Sequence, residues 1–307
     1  MALGSLLDII KMNNADPSIG IIEEVVPYIP EMSMIPARPI PGINFQALVR
    51  TALPTAAFRS ANEGVTPSKS TTELRLFETF FLNPVWKCDK MVADSCIDGA
   101  LAHIFGEGVA MTTAAMITVS SQIYYGRGVG GDAKGFPGVI KSVDATLVLD
   151  AGGTTDNVST SVWAMKFGVN ACSLVIGNNG QLALSDLRIG DITDPNDSTK
   201  QLTGYIQEIT SRIGFQQLNR YAVGRIKKLT TDAGKGLTDA LLSQLYEKFP
   251  VGWKPDVFAM SRRSQGQLQR SRTATSESGK EADLPTSWQG IPFMVTDSIT
   301  NTETLNL

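Results

Sequence analysis

The stretch Ala114–Ile140, AAMITVSSQIYYGRGVGGDAKGFPGVI, decides how the rest of the chain is read. Met116, Val119 and Ile123 recur at helical spacing, which predicts a helix over roughly residues 109–125. It has to stop at the glycine cluster GRGVGGDAKGFPG, which no helix continues through. Gly126, Gly128 and Gly131 satisfy GxGxxG to the letter, but a dinucleotide fingerprint needs a strand before the glycines and a helix opening after them. Here a helix comes before and Phe136-Pro137-Gly138 comes after. The cluster also fails as a P-loop, because Asp132 stands where the motif needs its lysine. A nucleotide-binding enzyme using Gly126–Gly131 is therefore only a remote alternative.

Upstream, KCDKMVADSCIDGALAHIFGEG places Val92, Cys96, Ala100 and Ile104 four residues apart, with Ile97, Leu101 and Phe105 beside them. That is the stripe of a helix packed on a body. Before it, Ile43, Phe45, Ala47 and Val49 alternate in INFQALVRTALP, as do Leu74, Leu76, Phe80 and Leu82 in TELRLFETFFL with Glu78 interrupting. Both segments read as strands with one buried face, joined as a hairpin by the polar stretch PTAAFRSANEGVTPSKSTT, a projecting loop. Its only charges between Thr51 and Thr72 are Arg59, Glu63 and Lys69, and they are expected to dock on adjacent subunits.

Earlier still, DPSIGIIEEVVPYIPEMSMIPARPIPG (residues 16–42) carries prolines that forbid a continuous helix or central strand. This is an extended arm. Ile21, Ile22, Val25, Val26, Tyr28, Ile29, Met32, Met34 and Ile35 give it too much apolar surface for a solvated linker. The arm should lie on its own subunit or on a neighbour, and Ile21, Ile22, Val25, Tyr28 and Ile29 are its candidate contact residues.

Downstream of residue 143 the pattern is mixed. VDATLVLDAGG, SVWAMKFG and NACSLVIGNNGQLAL read as strands, with Asn179-Gly180 as a hairpin turn in the last. GLTDALLSQLYEKFP reads as a helix closed by Pro250, PDVFAMS as a strand feeding a short polar helix near Arg262–Arg270, and GIPFMVTDSI as a final buried strand. No repeat of solenoid period is present.

Chemistry is sparse along the 307 residues. With 27 Lys and Arg against 30 Asp and Glu, the net charge of −3 excludes a basic nucleic-acid wrapper. Cys88, Cys96 and Cys172 have neither disulfide nor zinc spacing. His103 is the single histidine, so any Ser-His, Cys-His or histidine-metal chemistry would run through it, and it lies at the shoulder of an apolar helix stripe. Glu23-Glu24 and the pair Asp94 and Asp98 read as solvated charges, and Arg262, Arg263, Arg270 and Arg272 as a surface basic patch. No catalytic residue, metal or cofactor is expected. The start lacks a basic n-region and a cleavage site, and no run of eighteen uncharged apolar residues occurs, so neither secretion by a standard signal nor a membrane partner is expected.

The order of segments resembles the major capsid proteins of tailed bacteriophages, the Hong Kong 97-type fold. The alanine-rich helix entering a glycine turn, with Gly126, Gly128, Pro137, Gly138 and Val139 in place, is the most specific likeness; PDVFAMSRRSQGQLQR and GIPFMVTD resemble the family's strand feeding a short helix and its closing strand. The resemblance implies an α+β subunit with an N-terminal arm (1–42), an extended loop hairpin (43–85), a spine helix and peripheral domain (86–140, the spine at 86–105), a mainly axial domain (141–284, with a peripheral return near 205–230) and a C-terminal return to the peripheral domain (285–307). It implies a structural subunit, assembling as pentamers and hexamers into an icosahedral shell around double-stranded DNA in the bacterial host cytoplasm. A portal, a decoration protein and a scaffolding protein are the further partners implied. The arm is reached by Asp16, so the scaffold is expected to be a separate protein. A same-fold nanocompartment or gene-transfer-agent shell is the near alternative.

Overall fold

A computed structural model describes residues 28–180, 182–194, 197–275 and 280–307. Ile21, Ile22 and Val25 of the arm lie outside them. From Tyr28 onward the arm runs over its own subunit: a helical turn, Glu31–Met34, precedes β1 (Ala37–Pro39). Ile35 is buried with Val119, Ile123 and Tyr124, which accounts for the apolar character of this proline-rich segment.

The hairpin is present as β2 (Asn44–Ala52) paired with β3 (Thr71–Glu78), and residues 53–70 form an exposed tip. Its return continues as β4 (Phe80–Leu82) and β5 (Val85–Asp89), which the expected helix over 86–105 did not foresee. Cys88 is buried in β5 and Asp89 caps a short turn, Lys90–Ala93, by accepting from the Met91 amide. The helix proper starts only after Gly99, held at φ +89°, and runs unbroken over Ala100–Tyr125. The two expected helices are thus one, displaced towards the C-terminus. Gly106 and Gly108 do not break it: an interior glycine costs only about 1 kcal/mol, which packing along 26 residues outweighs. Gly108 also has a use: a Cβ there would come within 3.3 Å of the Gln207 side chain.

That helix crosses a sheet organised on one strand. After β6 (Val148–Asp150), β7 (Thr160–Met165), β8 (Cys172–Ile176), β9 (Leu182–Leu184) and β10 (Arg188–Thr193) comes β11 (Gln201–Gln217), 17 residues long. β4 and β5 pair antiparallel along one edge of β11; β8, β9 and β10 pair along the other, with β1 parallel on the far side of β8. The expected hairpin at Asn179-Gly180 is therefore a bulge. Asn178 and Asn179 sit at φ 53° and 59° and Gly180 at 83°, and this left-handed run folds the excess residues out so that β9 continues along the edge β8 began. The Asn178 and Asn179 amides donate to the carbonyls of Gly42 and Ile40, fixing the root of the hairpin.

The second sheet runs β14 (Ser287–Trp288), β15 (Ile291–Val295), β13 (Val257–Met260), β7, β12 (Val223–Leu229), β6. β14 and β15 pair within this sheet, while Met294, Ile299 and residues 300–303 also pack against the end of the long helix. β7 is buried at every position, because both faces of the sheet are covered. Val162 and Ala164 face the helices Asp239–Glu247 and Arg262–Ala274 through Leu242, Leu245 and Leu268. Trp163 and Met165 face Ile123, Tyr124, Cys172 and Phe215 of the first unit. Val257 and Ala259 alternate with Phe258 and Met260 in the same way.

The two units are pinned by one buried charge cluster. Tyr125 Oη, on the last turn of the long helix, donates to Glu303 Oε1 at 2.7 Å; Ser161 Oγ donates to Oε2 at 2.6 Å, and Arg225 Nη2 lies 3.3 Å from Oε2. The guanidinium also donates to Ser161 Oγ and to the Leu307 carbonyl, and it stacks 4.9 Å over the Trp163 ring. Burial lowers the Arg225 pKa while Glu303 opposes that; burial and the Glu303 charge both raise that of Tyr125. Removing one member leaves the other charge buried alone. Glu303→Ala is expected to destabilise the subunit by about 3–5 kcal/mol in a denaturant titration, against a smaller loss for Arg225→Met combined with Glu303→Leu, which removes both charges.

Candidate assembly interface

Among the described residues, exposed large apolar side chains gather on the hairpin and the long helix. On the hairpin, Phe45 and Phe77 stack with ring centroids 5.3 Å apart, and Arg38 lies 4.8 Å over the Phe45 ring. Arg75 Nη1 donates to the Leu218 carbonyl, so this face looks towards the body. The opposite face carries Leu48, paired with Leu74, and next to them Leu76, all exposed. The sequence pattern placed Leu74 and Leu76 on a buried face; in the subunit they point outward. At the tip, Leu53, Phe58 and Val65 are exposed too.

Arg59 and Glu63 come together in a local turn: Arg59 Nη1 donates to the Glu63 carbonyl at 2.9 Å, and the Ser60 amide donates to the Glu63 carboxylate at 3.1 Å. Lys69 lies apart from them on the exposed return. Tyr28 is exposed and its amide donates to Asp297 Oδ2 at 2.8 Å, whereas Ile29 is half-buried. Among the described residues, Tyr28 and Ile29 share no hydrogen bond or ion pair with Arg59, Glu63 or Lys69.

The long helix splits its stripe. Ile104, Met111, Val119 and Ile123 face inward, but Ile97, Leu101 and Phe105 are about three-quarters exposed, with Val109 and Met116 continuing the outward line. Leu101, Phe105, Val109 and Met116 form one wall of an open groove of about 780 Å³, with Leu184, Leu187 and Gln207 opposite. By length and mean hydropathy, 1.3, this helix could also cross a membrane, but its last turn belongs to the protein core through Ile123, Tyr124 and Tyr125. Ile97, Leu101 and Phe105 were read as part of the stripe packed on the body; they face outward instead, Ile97 from the turn that precedes the helix.

The glycine turn is filled by the protein itself. Gln122 donates to the carbonyls of Asp132 and Phe136 and accepts from the Asp132 amide. A Cβ at Gly126 would lie 2.1 Å from the Gly138 nitrogen, and one at Gly131 would lie 1.9 Å from the Gly126 oxygen. These glycines exist for close backbone approach, which removes the motivation for a nucleotide reading. His103 is buried with Nε2 3.9 Å from Cys88 Sγ and its ring edge-on to Trp86. Burial, together with the charges of Asp89 and Glu107, pushes the Cys88 thiol up to about 11, opposite to what a Cys-His nucleophile needs. Among the described residues there is no cluster of three or more metal-ligating side chains.

A hairpin projects from a sheet spanned by a long helix, beside a sheet covered on both faces. The family model for Major capsid protein GP7 matches residues 21–306. The chain belongs to that family. Its fold is that of tailed-phage capsid proteins, the Hong Kong 97-type fold: the bacteriophage Epsilon15 structure superposes with a TM-score of 0.73 at 19% identity, covering 99% of this chain and 98% of that one. The bacteriophage JBD30 capsid (TM-score 0.49, 9% identity, 89% and 91% covered) and the SrpI encapsulin of Synechococcus elongatus PCC 7942 (0.48, 8%, 76% and 98%) are more distant. No curated protein sequence matches. The protein is a major capsid protein and hence a virion component. Replacing Leu101 and Phe105 by serine should leave the melting of isolated subunits within about 0.5 kcal/mol of the parent, because both are exposed, while light scattering shows assembly suppressed.

Proposed function

We propose that this capsid subunit assembles as pentamers and hexamers into an icosahedral head enclosing double-stranded DNA, with the hairpin β2–β3 reaching over a neighbouring subunit. The observation carrying this reading is the outward apolar line on the hairpin and helix, Leu48, Leu74 and Leu76 with Leu101, Phe105 and Val109. Each such side chain is worth roughly 1.5–3 kcal/mol when buried, a driving force the isolated subunit leaves unused. The role is structural rather than catalytic. In this reading the unit containing β11 and the long helix is the peripheral domain and the second sheet the axial domain. Assembly takes place in the bacterial cytoplasm with a separate scaffolding protein and a portal, and a decoration protein binds the outer face. Electron micrographs of the expressed protein should show isometric shells, and particles purified from infected cells should hold nuclease-protected DNA. Shells loaded with protein cargo and no DNA would instead favour a nanocompartment.

The loop charges supply a second test. An exposed ion pair contributes only about 0.2–1 kcal/mol, but symmetry repeats it at every shell contact. Arg59→Glu combined with Lys69→Glu is expected to leave subunit melting unchanged and to reduce shell yield, most severely at low salt where repulsion is least screened. Unaltered yield across a salt series would remove the loop charges from the interface.

A further inference from the structure

The root of the arm contains a carboxyl group in an unusual position. Glu31 opens the turn Glu31–Met34 and is fully buried. Neither of its carboxyl oxygens has a hydrogen-bond partner among the described residues, and the same is true of the buried Tyr124 hydroxyl. The groups around the carboxyl are Tyr124 on the long helix and Thr296 and Ser298 on the segment after β15. The charged residue on that segment, Asp297, directs its carboxylate to the Tyr28 amide, and Tyr125, next on the helix, is turned to Glu303. Among the described residues, no cation acts on Glu31.

We propose that Glu31 is a proton-operated latch on the arm: as the neutral acid it seats the turn Glu31–Met34 against the long helix and the segment Thr296–Ser298, and as the carboxylate it releases that turn. A neutral carboxyl can donate to one of the surrounding hydroxyls and accept from another, whereas an ionised carboxylate without a cation is costly to keep out of water. Burial is the largest influence on the group and raises its pKa above the ordinary 4.5; the hydroxyls of Thr296, Tyr124 and Ser298 oppose that. With the folded-state value raised, the seated form holds the proton. Its stabilisation is complete below the ordinary value and is lost as pH rises through the raised one. What the release does to assembly rests on the shell reading. The latch itself is a property of the subunit and is tested on dissociated subunits.

The amides that report the seat are those of Met34 and Ile35, which donate to the carbonyls of Pro30 and Glu31 at 3.1 and 2.9 Å. Hydrogen exchange of full-length subunits, corrected for the intrinsic rate, should show their protection falling at least about tenfold between about pH 5 and about pH 8, a factor of ten per pH unit being the limit for one proton. In Glu31→Gln the protection should be the same at both pH values, and the Leu242 amide, in the Asp239–Glu247 helix, should not respond in either protein. Tyr124→Phe removes a hydroxyl that stabilises the carboxylate, so its transition should move to higher pH; this variant keeps the latch testable if Glu31→Gln does not fold. Protection in the parent that is independent of pH, the same slope in parent and Glu31→Gln, or an unmoved transition in Tyr124→Phe would each overturn the latch.

Discussion

The arrangement depends on the Glu303 carboxylate, a group from the end of the chain that two otherwise separate units share. One oxygen takes the Tyr125 hydroxyl at the end of the long helix; the other takes Ser161 of β7 and Arg225 of β12. Backbone bonds between Ser159 and Glu303 in both directions hold the tail in place. A buried pair of this kind contributes little against a hydrophobic substitute, but it allows one relative placement of its partners and penalises others strongly. That suits a subunit in which the helix carrying the outward apolar line must keep a fixed pose relative to the second sheet.

Around that point the core has a simple logic. Three strands of the second sheet, β7, β12 and β13, send alternate side chains to two different clusters, one shared with the long helix and β8, the other closed by the helices Asp239–Glu247 and Arg262–Ala274. Period-two geometry thus divides one buried run between two interfaces. The hairpin is built differently: one face of β2 and β3 is half-covered by the body, and the other keeps its outer leucines exposed.

Much of this was legible in the residues. Thr238 caps a helix whose apolar spacing was visible, Ser261 caps the polar helix read after PDVFAMS, SVWAMKFG read as a strand, and the arm, hairpin and glycine turn lay in the order the family resemblance implied. What failed did so for local reasons. Strand β5 and the start of the long helix were merged because Val92, Cys96, Ala100 and Ile104 keep helical spacing across Gly99, whose positive φ cuts the pattern. Asn179-Gly180 carries the composition of a hairpin turn, and only the common partner β11 shows that it is a bulge. Glu303 and Arg225 lie 78 residues apart with no periodicity connecting them, so the cluster that joins the units left no sequence signal.

The central claim is that apolar surface left open by the subunit is closed by other copies of it. Hydroxyl-radical footprinting of dissociated subunits and of assembled shells tests this directly. Leu48, Leu74, Leu101 and Phe105 should label readily in subunits and be protected in shells, while Val251, exposed outside the proposed contacts, labels equally in both. Equal labelling of the helix and hairpin residues in the two states would contradict the account.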